Sequence, residues 1–111
     1  MVTLMKRERE LNMWERVFKA FPQLIILRAL TEQAMTGYRI IRHCHKKFGI
    51  LPNSNMVYTQ LGKMEAKKWI EQVEAKDGKT YGLTPKGQRI ASNMDVFTRE
   101  IHDAVKTMME N

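Results

Sequence analysis

The chain has 111 residues, enough for one domain built around a single core. It is 43% hydrophobic, and 19 Lys+Arg against 12 Asp+Glu leave a net charge of +7. Its apolar runs are too short to span a bilayer, residues 1–10 lack an apolar signal core, and one cysteine allows no intrachain disulfide framework. A membrane protein, a secreted mini-protein and a large two-domain enzyme are therefore excluded as expectations, and a cytoplasmic setting is expected.

The elements follow in chain order. Residues 7–21 read as a helix, because Leu11, Trp14, Val17 or Phe18, and Phe21 recur at steps of three and four. Pro22 interrupts that pattern. Residues 23–32 form a second helix, apolar on most sides and expected in the middle of the domain. Thr36 is placed to cap a third helix to Phe48, with Tyr38, Ile41, Cys44, His45 and Phe48 on one face. Gly49 fits its C-terminal cap, and Pro52 prevents continuation. Asn53 and Ser54 precede a fourth helix, about 55–67, with Val57, Leu61 and Met64 inward and Asn55, Thr59 and Lys63 outward.

The period then changes. Strand-like runs at 69–75 and 79–84 flank Lys76-Asp77-Gly78, a strong hairpin signal. Thr84-Pro85 opens a last helix to about 109. Its stripe is Ile90, Met94, Phe97, Ile101, Val105 and Met108. The predicted fold is mainly α with one small β-hairpin: a winged helix-turn-helix core at 23–84, with added terminal helices at 7–21 and 85–109. No linker or repeat divides the chain, so 1–111 is one domain.

The charge is concentrated. Residues 36–68 carry Arg39, Arg42, Lys46, Lys47, Lys63, Lys67 and Lys68 against Glu65 alone, which accounts for +6 of the +7. A localised basic face suits a polyanion, since each neutralised phosphate releases counterions.

Four blocks carry a resemblance. They are Leu27-Arg28-Ala29-Leu30, Gly37-Tyr38-Arg39-Ile40, Val57-Tyr58-Thr59-Gln60-Leu61, and the stretch from Lys79 through Thr84-Pro85-Lys86-Gly87. Together they resemble the PadR family of winged-helix transcriptional regulators over about residues 24–90. Thr59 stands where that family usually has proline, and Lys68-Trp69 stands where it usually has a glycine. The resemblance implies a dimeric DNA-binding repressor whose terminal helices form the dimer interface.

On that fold the fourth helix enters the major groove. Its candidate DNA-contacting residues are Ser54, Asn55, Tyr58, Thr59, Gln60 and Lys63. Asn and Gln pair with adenine, and Lys reaches guanine or phosphate. Tyr38, Arg39 and Arg42 on the third helix, with Lys76 and Lys79 on the wing, are the candidate phosphate contacts. Gly62 inside the fourth helix is explained either by a close approach of DNA or of another helix, or by drift.

The candidate dimer residues are Trp14, Phe18, Ile90, Met94, Phe97, Ile101, Val105 and Met108. The same helices offer room for a small apolar effector, against the plainer reading of a packed dimer core. His43-Cys44-His45 is not expected to form a metal site, since adjacent helical residues diverge by about 100°, no other cysteine exists and the one further histidine is His102. No cofactor motif and no catalytic constellation is present, so an enzyme is not expected. The partners expected are double-stranded DNA and a second copy of the chain. Two other readings stay open: a nonspecific architectural DNA binder, and a winged helix serving protein interaction.

Overall fold

A computed structural model describes residues 15–76 and 78–110. Helical residues 15–20 (α1) lead into α2 (Pro22–Glu32). Then come β1 (Met35–Thr36), α3 (Gly37–Phe48), α4 (Ser54–Ala66), β2 (Ile70–Val73), β3 (Thr80–Leu83), α5 (Pro85–Ser92) and α6 (Met94–Met109). The expected Trp14 lies outside the described residues, as does most of the expected first helix.

Local chemistry sets the boundaries. Pro22 occupies the first turn of α2, where its missing N–H costs nothing. The Thr36 hydroxyl accepts from the Arg39 N–H at 3.1 Å, and Gly49 ends α3 at φ 71°. Asn53 Oδ1 accepts from the Met56 N–H at 3.1 Å to start α4. Each such cap stabilises by about 1 kcal/mol.

The core forms around α2, which packs on α3, α4, α5 and β3. Ile26, Leu27, Ile40, Leu61, Met64, Ile70 and Val57 are its most deeply buried large side chains. Cys44 is a fully buried member of this core, and burial pushes its thiol up to about 11.

Several expectations are corrected. The buried face of α3 is Gly37, Ile40 and Cys44, flanked by Ile41 and Phe48. Tyr38 and His45 lie outside it and are exposed. The sheet has three strands in the order β1-β3-β2, because Met35 and Thr36 pair antiparallel with Tyr81 and Thr80. The hairpin pairing ends at Val73 and Thr80, so its loop is longer than an Asp-Gly turn, with Gly78 at φ 102°.

The last helix is also divided. Ser92 Oγ donates back to the Gln88 carbonyl at 2.8 Å, and Asn93 follows at ψ −6°. Such back-bonding bends helices, and α5 and α6 separate there. The base of the wing is fastened to α5 by Thr84. Its hydroxyl donates to the Lys68 carbonyl at 2.5 Å, with the Trp69 carbonyl also in reach at 3.1 Å, and accepts from the Gly87 N–H at 3.0 Å. A Cβ on Gly87 would stand 1.9 Å from the Trp69 oxygen, so only glycine fits.

Candidate nucleic-acid interface

The surface of α4 divides into three strips. Val57, Leu61 and Met64 fill the core. Asn55, Thr59, Gly62 and Lys63 point to solvent with Ser54 at the start of the helix. Thr59 donates to the Asn55 carbonyl at 2.7 Å, which leaves its methyl and oxygen lone pairs outward. A Cβ on Gly62 would meet nothing within 4 Å, so no neighbouring helix in the protomer requires this glycine.

Gln60 does not join the outward strip. Its Oε1 accepts from Gln23 Nε2 of α2 at 2.9 Å, and Gln23 Oε1 in turn accepts from Lys67 Nζ at 3.0 Å. Lys67 sits 4.4 Å above the Trp69 ring. This chain of contacts ties α4 to α2 and to the root of the wing. Gln60 is therefore corrected from a base-facing residue to a tether, because its side chain is turned inward and half-buried.

Tyr58 occupies the border strip, where it is 48% exposed. Its ring lies on Gly37: a Cβ there would be 2.5 Å from Cε1 and 2.8 Å from the hydroxyl. Glycine at the start of α3 thus makes room for a tyrosine twenty-one residues later. Beside it, Tyr38, Arg39, Tyr58 and Lys79 line one cleft of about 470 Å³ with Thr36. Four separate sequence candidates are brought together between α3, α4 and the wing. No acid lines the cleft. Behind it the Tyr81 phenol is pushed up by burial first, then by Glu65 and Tyr58.

Arg42 lies just outside this cleft with its guanidinium 5.9 Å from the Tyr38 ring centre. Lys76 is exposed in the hairpin loop and lines neither this cleft nor the neighbouring cavity on α3. Among the described residues the one ion pair is His102 with Asp103 on α6, at 3.7 Å. Arg39, Arg42, Lys63 and Lys79 are thus left without carboxylate partners there. Sequence reasoning placed Thr36 only as a helix cap and missed it as a lining residue of the cleft, because the short Met35–Thr36 pairing gives no local signal.

The dimer candidates separate. Phe18 is 2% exposed and belongs to the protomer's own core, which removes it from any interface. Ile90 and Met94 are half-buried against that core. Phe97, Ile101, Val105 and Met108 are exposed, and α6 has no buried residue at all. Beside α6, an apolar groove of about 440 Å³ runs between Phe21, Ile25, Phe48, Met94, Phe97 and Ile101. No helix among the described residues is long and apolar enough to cross a membrane.

Residues 26–93 match the Transcriptional regulator PadR-like family. Among solved structures, the fold is similar to a PadR family transcriptional regulator from Eggerthella lenta. That likeness has a TM-score of 0.76 at 18% identity, over 97% of this chain and 98% of that one. A PadR-like transcriptional regulator from Bacillus cereus gives a TM-score of 0.75 at 18% identity, over 86% and 98%. A PadR family regulator from Clostridium difficile gives 0.72 at 19%, over 81% and 99%. Identities this low establish the fold. No curated protein matches the sequence significantly.

Proposed function

The chain belongs to the Transcriptional regulator PadR-like family, and from that premise we propose that it is a sequence-specific DNA-binding repressor acting as a cytoplasmic homodimer. The observation that carries the reading is the acid-free cleft where Tyr38, Arg39, Tyr58 and Lys79 meet beside the outward strip of α4. Asn55, Thr59 and Lys63 read base edges in the major groove, with Ser54 at its mouth. Tyr38, Arg39, the Tyr58 hydroxyl and Lys79 hold backbone phosphates, while Arg42 and Lys76 serve the flanks. These contacts position the protein without specifying sequence.

The exposed face of α6 supports the dimer reading. A helix of its length with no buried residue is marginal alone in water, and its exposed Phe97, Ile101 and Val105 call for a cover. A second copy supplies it in a two-fold arrangement, which sets two α4 helices about 34 Å apart along the duplex. A small apolar effector would compete for the groove beside Phe97.

Selection of bound sequences from a random pool tests this. The expected result is a pseudo-palindrome with half-sites about ten base pairs apart, altered at one position per half-site by Asn55→Ala. Binding without any two-fold motif would favour the architectural reading, and no salt-dependent binding at all would favour a protein-interaction module. Sedimentation of wild type as a monomer at micromolar concentration would overturn the dimer; Phe97→Glu with Ile101→Glu is expected to produce that monomer.

A further inference from the structure

The groove beside α6 carries a charged rim that its apolar walls do not need. The walls are Phe21, Ile25, Phe48, Met94, Phe97 and Ile101, around a space of about 440 Å³. Two permanent cations stand at the edge, Arg28 from α2 and Lys47 from the last turn of α3. No acid lines the groove among the described residues, and neither cation forms an ion pair there. Asp95 lines the adjoining cavity, which shares Arg28, and does not pair with it. Lys47 Nζ lies 5.7 Å from the Phe48 ring centre, so its charge stays over one wall of the groove.

These features select an occupant by charge. A neutral apolar molecule gains nothing from the rim, and a cationic one is repelled by it. An anionic head on an apolar tail uses both parts of the surface. The planar fork of an arginine holds a carboxylate through two parallel hydrogen bonds, and a lysine adds a point charge. The wall on the α2 side runs from Phe21 to Arg28, about 10 Å at about 1.5 Å per residue, and the α6 wall from Met94 to Ile101 has the same length. An extended tail of about eight to ten carbons covers that distance. Deepening the effector reading above, and resting on the dimer reading for its consequence, we propose that the groove binds a medium-chain acyl carboxylate, with its head at the Arg28–Lys47 rim and its tail along Phe21 and Phe97. The tail takes the surface at Phe97 and Ile101 that a second copy covers in the dimer. Carboxylate and partner therefore compete, and the bound form is the weaker dimer.

The test is titration calorimetry of the full chain with decanoate, octanoate, decanol and decylamine below their micelle concentrations, alongside sedimentation with and without decanoate. Decanoate is expected to bind best. Octanoate should bind about tenfold more weakly, at roughly threefold per methylene lost. Decanol should be weaker than decanoate by at least about tenfold, and decylamine weaker still. Arg28→Gln with Lys47→Gln, both at exposed positions, should bring decanoate down to the level of decanol and leave decanol unchanged. Ile25→Ala should weaken decanoate and decanol by the same factor. Decanoate should shift wild type from dimer toward monomer. Equal affinity for all three ten-carbon heads, or a double variant that still prefers decanoate, overturns the proposal. A wild-type dimer that binds none of them shows the second copy filling the groove, which overturns the proposal and leaves the dimer reading standing. Head-dependent binding by a chain that is monomeric throughout upholds the site and overturns the dimer reading. Head-dependent binding that leaves the dimer intact upholds the site and overturns the competition.

Discussion

Replacing Gly37 by alanine tests the contact on which the cleft is built. The new methyl carbon would lie 2.5 Å from Tyr58 Cε1 and 2.6 Å from Cζ, where about 3.5–4.0 Å is normal. The ring must withdraw by about 1 Å or more, and it can, because Tyr58 is 48% exposed and its outer edge is free. The cost is bounded by the ring area now covered. Roughly half of a tyrosine's 150–250 Å², at about 25 cal/mol per Å², gives about 2–3 kcal/mol. Against this, alanine improves on glycine in a helix by at most about 1 kcal/mol. Gly37→Ala should therefore destabilise by about 1–2 kcal/mol and weaken DNA binding as the tyrosine hydroxyl leaves the cleft. In a Tyr58→Ala background the same substitution meets no ring and should turn neutral or stabilising, a coupling of about 2 kcal/mol. Urea unfolding followed by circular dichroism on the four proteins of this cycle measures it. An identical cost of Gly37→Ala with and without the Tyr58 ring would refute the reasoning.

Other expectations follow from single sites. Gly87→Ala should cost about 3 kcal/mol or prevent folding, because the obstructing atom is the Trp69 backbone oxygen and cannot swing away; circular dichroism reports it. Gly62→Ala should stabilise by up to about 1 kcal/mol and raise the melting temperature by a few degrees, since its Cβ enters open space. A loss of DNA affinity in that stabilised variant would mean that the duplex itself approaches the Gly62 backbone. Lys68, at φ 65°, pays for a left-handed conformation that glycine adopts freely, so Lys68→Gly should raise stability by about 0.5–1 kcal/mol in urea titration. Native Cys44 should resist thiol reagents at about pH 8 and react only after unfolding, because its buried thiol ionises only around 11; fast native labelling would contradict its burial.

The parts of this fold that were legible in the sequence are those decided by near neighbours. Thr36, Gly49, Asn53 and Thr84-Pro85 mark helix ends because capping is a matter of three or four residues. The outward set on α4 followed from its helical period for the same reason. What was not legible depends on distant partners. Met35–Thr36 becomes a strand only because Tyr81 and Thr80 offer it an edge. Gln60 is diverted by Gln23, thirty-seven residues earlier. Spacing alone groups Tyr38 with Cys44 on one face of α3, whereas the side chains that fill the core there are Ile40 and Cys44, and the phenol stays at the surface. Phe18 was grouped with the interface because an apolar periodicity does not say whether the covering surface is the chain's own or a partner's.

The Thr84 hydroxyl has a mechanical consequence. One oxygen holds the root of the wing and the start of α5 together, and the missing side chain at Gly87 lets them touch. Wing, α4 and α5 accordingly turn as one stiff body. The tether from α4 through Gln23 to Lys67 adds a second brace to the same body. Compliance is left to the Ser92–Asn93 turn, where the helical axis is already interrupted. On the reading proposed above, the α4 face and the wing would keep their mutual spacing against a duplex, and a change in the direction of α6 would be taken up at residues 92 and 93, away from that surface.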